Sequence, residues 1–190
     1  MTRLSDTRYL VKVAFLGTLG FLLMYLEFPL PLMPTFLKFD FGDLPALIAG
    51  FAYGPVAGLL AEVIKNAIFL LSGRSESGII GVTANLITGC SLVLTSALVY
   101  QRIRTLKGAI LALLVGTLTM TATMTIANMY VFFPLWNIPT EQIGPMILGA
   151  AIPFNLMKGA LTSVATFLMY KRVSAWLGSA TLMPDQVKSR

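Results

Sequence analysis

Residues 108–133 read GAILALLVGTLTMTATMTIANMYVFF, a run of 26 positions without one formal charge. A helix that crosses the hydrocarbon of a bilayer needs about 20 mostly apolar residues. This stretch is long enough for one. The remainder of the 190-residue chain has the same character, with 56% hydrophobic and 12% charged residues and a mean hydropathy of +0.81. Soluble domains carry about a quarter charged residues. Disorder, a disulfide scaffold and an ordinary soluble enzyme are therefore excluded, and an all-α integral membrane protein is expected. Six helices of about 20 residues use roughly 120 positions, leaving the rest for connections and tails.

Outward from this fifth helix, the chain divides at its polar and Pro-rich stretches. Helix 1 is predicted over 9–27, stopped by Phe28-Pro29-Leu30-Pro31, since proline fixes its own backbone and lacks an amide donor. It is read as a transmembrane helix rather than a cleaved leader, because no small-residue cleavage site follows it. Residues 29–43 form an apolar loop, lying either at the membrane interface or as a lid over a pocket. Helix 2 is predicted over 43–53 with Asp40 or Asp43 as N-cap, helix 3 over 55–71, helix 4 over 80–100 and helix 6 over 147–170, broken at Pro153. Residues 134–145 make the last outer loop. The whole, 1–190, reads as one transmembrane domain with a core of 8–176 and a polar tail of 177–190.

Net charge is +6. In a soluble chain this would suggest nucleic acid, but inward-facing loops of membrane proteins collect Lys and Arg. With six helices, Arg3, Arg8, Lys12, Arg102, Arg104, Lys107, Lys171, Arg172, Lys188 and Arg190 all fall on one side. Both termini are then cytoplasmic and the loop between helices 1 and 2 faces outward. The chain has no histidine and one cysteine, Cys90, so zinc sites and His-based nucleophilic triads lack their groups. No phosphate-binding G-x-x-x-x-G-K-[ST] loop is present, so any ATP-driven step needs a partner.

Ionised groups in a bilayer are expensive and face a cavity, a partner or a substrate. Glu62 and Lys65 lie three apart on helix 3, spaced to pair as an internal bridge. Lys158 on helix 6 has no acid within a turn, so it either snorkels outward or finds a carbonyl, a carboxylate or a ligand. Asn155 shares its face. Asn85 and Asn128 add amides on helices 4 and 5. Beneath the aromatic loop (Met33, Phe36, Phe39, Phe41), such a cluster suits a small molecule with a flat apolar part and several hydroxyls or carbonyls. On helix 1, Ala14, Gly17, Thr18 and Gly20 place small side chains at spacings of three and four, fit for close approach to a partner helix or for packing within the chain.

The segments Phe28-Pro-Leu-Pro-Leu-Met-Pro34, Lys38-Phe-Asp-Phe-Gly-Asp-Leu-Pro45, Gly54-Pro-Val-Ala-Gly58, Val63-Ile-Lys-Asn66 and Ile152-Pro-Phe-Asn-Leu-Met-Lys-Gly159 together resemble the riboflavin-specific substrate-binding (S) component of energy-coupling factor (ECF) transporters. The resemblance implies six helices in a prokaryotic cytoplasmic membrane. It also implies riboflavin as transported ligand with no cofactor and no catalysis, a transmembrane coupling protein (EcfT-type) and two cytoplasmic ATPase subunits. The ligand residues it implies are Asn155, Lys158, Asn128, Asn85 and Asp40, with Leu37 and Phe39 beside it. The partner contact it implies is the helix-1 face of Ala14, Gly17 and Thr18. An S component for another vitamin or flavin precursor, an ion-coupled carrier and an integral membrane enzyme stand as alternatives.

Overall fold

A computed structural model describes residues 6–31 and 33–181, with side chains through Met169. Leu32 of the quoted loop segment, Arg3, Lys188, Arg190 and tail residues 182–190 lie outside the described residues, as do the side chains of Lys171 and Arg172. Helix α1 (Thr7–Met24) opens on Asp6, whose carboxylate accepts the Arg8 amide at 2.9 Å. Next come strands β1 (Phe28–Pro29) and β2 (Lys38–Phe39), paired antiparallel with Phe28 opposite Phe39. The Pro-rich segment is thus a folded-back hairpin rather than open loop.

Helices α2 (Asp43–Tyr53) and α3 (Pro55–Leu71) meet at Gly54, whose φ of +105° suits glycine. Pro55 then takes the first helical position, where its missing donor is harmless. The two helices close into a tight pair: a Cβ on Gly58 would come 3.1 Å from both the Gly50 Cα and the Ala46 carbonyl. Gly54-Pro55-x-x-Gly58 is therefore the turn and packing point the sequence suggested. Asp40 and Asp43 cap nothing here; Gly42 is the N-cap, without a side-chain bond.

Helix α4 covers Gly78–Arg102. Helix α5 (Leu106–Ala127) runs through a π-turn (Asn128–Phe132) into α6 (Phe133–Leu135). Helix α7 (Thr140–Met146) likewise runs through a π-turn (Ile147–Ala151) into α8 (Ile152–Thr181). Each π-turn ends two residues before a proline, Pro134 or Pro153. A proline withholds the donor its i−4 carbonyl expects, and widening the preceding turn lets the helix absorb that defect. The predicted break at Pro153 is accordingly a bulge. The predicted outer loop shrinks to residues 136–139, because Pro145 is tolerated within α7: the carbonyl it deprives belongs to exposed Glu141.

The helices so described number six when each π-turn is counted as continuous. Four of them, Thr7–Met24, Gly78–Arg102, Leu106–Leu135 and Thr140–Met169, are long and apolar enough to cross a bilayer. The 11-residue α2 rises only about 16 Å, half the roughly 30 Å of hydrocarbon. Helix α4 lies along α5, α1 along α3, and α2 against α3 and α4. The core they share is built of Leu47, Ala57, Ala61, Leu92, Val93, Leu113 and Met120. Leu98, Leu114, Leu118, Ile126, Val164 and Leu168 instead stand exposed on the outer helices, as a lipid solvent requires.

Candidate ligand-binding site

One end of the bundle holds an open cavity of about 780 Å³, mouth included. Its polar wall comes from three places. Helix α4 supplies Asn85 and Thr88, the first π-turn supplies Asn128, and α8 supplies Asn155 and Lys158. The apolar wall includes Phe36 and Leu37 from the hairpin, Trp136 after α6, and Phe154. Phe36 and Trp136 stand 5.6 Å apart, ring to ring. Both π-turns bear on this wall: Asn128 opens the first, and the Asn155 amide donates to the Ala151 carbonyl that ends the second, at 2.8 Å. The second turn rotates the helical residues that follow it, Asn155 and Lys158 among them.

Lys158 is buried and does not snorkel. Its ammonium lies 3.0 Å from Asp40 Oδ2 and 3.3 Å from Asp43 Oδ2. Asp43 Oδ1 in turn accepts from Lys65 Nζ, and Lys65 lies 2.7 Å from Glu62 Oε2. Three carboxylates and two ammonium groups, each 2% exposed or less, thus form one chain from α3 to the cavity wall. Asp40 is held from the other side by the Gly42 amide, 2.7 Å from Oδ1. The Glu62–Lys65 bridge was legible from spacing. Asp43 was read as a cap and so missed, although an ammonium without a local acid demands a distant one. Asp40 and Asp43 thus join Glu62 as buried carboxylates within the bundle.

Of the residues expected at the ligand, Leu37, Asn85, Asn128, Asn155 and Lys158 meet at the cavity. Asp40 stands behind them as a partner of Lys158. Phe39 is buried under the hairpin with Leu30 and Phe154, its ring 4.8 Å from that of Phe41. Met24, Phe69, Met124 and Trp136 also line the cavity; nothing marked these core-like apolar residues in sequence, apart from the position of Trp136 in a loop. On α1, Ala14 and Thr18 face outward, whereas Gly17 is buried, where a Cβ would come 2.8 Å from Ile64 of α3. The Thr18 hydroxyl donates to the Ala14 carbonyl at 2.9 Å, so it asks nothing of a neighbour.

At the mouth, Lys38 of β2 reaches Glu27 at 3.2 Å and Glu76 at 2.6 Å. The hydrogen bond to Glu76, followed by that to Glu27, raises the Lys38 pKa above its ordinary value, and the same bond lowers that of Glu76. Arg74 turns aside, its guanidinium 4.2 Å from the centre of the Tyr25 ring.

Residues 8–170 match the family model described as "ECF transporter, substrate-specific component". The chain belongs to this family. It is 31% identical over 180 residues to riboflavin transporter RibU of Staphylococcus aureus (strain TCH60), covering 92% of this chain and 94% of that protein. Riboflavin transporter FmnP of Bacillus subtilis (strain 168) is 35% identical over 176 residues, with coverage of 88% and 93%. The solved S component of a bacterial ECF transporter superposes with a TM-score of 0.80 at 33% identity, over 90% of this chain and 97% of that one.

Proposed function

We propose that this S component captures riboflavin in the cavity described above and carries it across the prokaryotic cytoplasmic membrane when ATPase partners act. The observation that carries the reading is the pairing of amide and ammonium groups (Asn85, Asn128, Asn155, Lys158) with an aromatic wall (Phe36, Trp136) in one cavity. A tricyclic flavin packs on the wall, and its ribityl hydroxyls and ring carbonyls meet the polar side. Asn85 Oδ1 is buried without a hydrogen-bond partner, an acceptor that a ligand hydroxyl would satisfy. The relatives named as riboflavin transporters supply the choice of vitamin.

The same reading sets orientation and partners. Arg8 and Lys12 lie in the first two turns of α1, and Arg102, Arg104 and Lys107 cluster where α4 ends and α5 begins, at the ends remote from Lys38 and Arg74; the positive-inside rule then puts the termini in the cytoplasm and the cavity outside. A transmembrane coupling protein docks on the outward face of Ala14 and Thr18, and two ATPase subunits power the cycle. The chain forms a single substrate-binding unit. Equilibrium dialysis of the detergent-purified protein against a vitamin panel tests this. Retention of riboflavin alone supports it; retention of another vitamin in its place overturns the ligand and keeps the family.

A further inference from the structure

The two ammonium groups facing the cavity are already matched. Lys158 lies between Asp40 and Asp43, and Lys38 lies between Glu27 and Glu76. Among the described residues lining the cavity, Glu27, Lys38, Glu76 and Lys158 are the charged ones. The rim alone is therefore net negative by one charge, two carboxylates against one ammonium. The inner cluster sets Asp40, Asp43 and Glu62 against Lys65 and Lys158, so neither of its ammonium groups lacks an acidic partner. A ligand reaching into either place finds hydroxyl and amide partners but no spare cation.

Resting on the riboflavin reading, we propose that Glu27 and Glu76 act as a charge filter that favours an uncharged flavin over the same flavin carrying a phosphate monoester. A phosphate monoester bears about −1.5 to −2 charges at neutral pH. So hydrated a group stays at the wet mouth rather than entering the dry interior. There it meets Glu76, 77% exposed at its side chain, and Glu27, 23% exposed. Lys38, whose ammonium would otherwise clasp a phosphate, is engaged by both. Arg74 is drawn onto Tyr25 and does not line the cavity. An excess carboxylate about 6 Å from a phosphate in a watery mouth disfavours it on the order of tenfold before salt screening.

The test uses the full chain in detergent with riboflavin and riboflavin 5′-phosphate as probes. What is read is the ratio of their two dissociation constants, which cancels any loss common to both. The wild type is expected to prefer riboflavin. Glu27→Gln with Glu76→Gln moves the rim by two charges and narrows that preference about a hundredfold before salt screening, whereas Lys38→Gln leaves two unmatched carboxylates and widens it about tenfold. The wild-type preference also shrinks as salt is raised from low to about 0.5 M. A ratio unchanged across the three proteins, or a wild type that does not discriminate, overturns the filter alone. A wild type that binds neither flavin overturns the riboflavin reading and the filter with it.

Discussion

The cavity has the same device at two depths, a lysine ammonium between two carboxylates, and the depth decides what each one is worth. At the rim, Lys38 holds Glu27 and Glu76 with side chains 22%, 23% and 77% exposed. Water and salt screen such pairs, so each contributes little to stability. Inside, Lys158 and Lys65 hold Asp40, Asp43 and Glu62, all closed to solvent. Bringing charged groups out of water is costly, and the mutual attraction in low dielectric offsets that cost only while every partner is present. The rim is therefore suited to selecting and loosening, and the interior to fixing Lys158 in one place.

Breaking the inner cluster has the largest expected effect. Asp43→Ala deprives both buried lysines of a shared counter-charge and is expected to destabilise the protein by about 3–5 kcal/mol, seen as a large drop in the thermal midpoint in detergent. A midpoint within error of wild type would mean that the cluster is not closed to water. Lys158→Ala and Asn155→Ala sharpen the comparison at the ligand. Each is expected to weaken riboflavin binding more than tenfold, about 1.4 kcal/mol, with the protein still folded; unchanged affinity in both would move the site.

The helix-1 face is predicted to matter elsewhere. Ala14→Leu with Thr18→Leu leaves riboflavin affinity intact and lowers co-purification with the coupling protein, whereas an undiminished complex yield places that contact on another surface. The smallest effect belongs to the rim. Since Glu76 titrates below its ordinary value of 4.5, its contribution is present above that value and fades as pH falls through the lowered one. Lys38, raised above 10.5, keeps its contribution below that value and loses it as pH climbs through the raised one. Stability due to the rim is thus flat from about pH 5 to 10, and its loss on acidification is small beside the effect of Asp43→Ala. A steep fall in thermal midpoint between pH 7 and 5.5 would assign the titration to some other group.

The difference between the two clusters also explains what could be read from the sequence. Helix positions followed from apolar runs and prolines because those act locally. Asn85, Asn128, Asn155 and Lys158 could be singled out because a polar group within an apolar run needs a reason to be there. Asp43 could not, since its partners stand 22 and 115 positions away and an acid at a helix start already has an ordinary explanation. Gly17 was grouped with Ala14 and Thr18 as one small-residue face, and only the position of α3 shows that it points inward. The π-turns before Pro134 and Pro153 were also hidden: a proline announces a disturbed helix but not whether the helix breaks or widens.

The most direct test is a riboflavin titration of the detergent-purified chain, followed by quenching of flavin fluorescence. Saturable quenching at nanomolar vitamin, with one riboflavin per chain at the end point, is the predicted result. Flavin fluorescence that stays unquenched up to micromolar protein and vitamin would contradict the account, whatever family the fold belongs to.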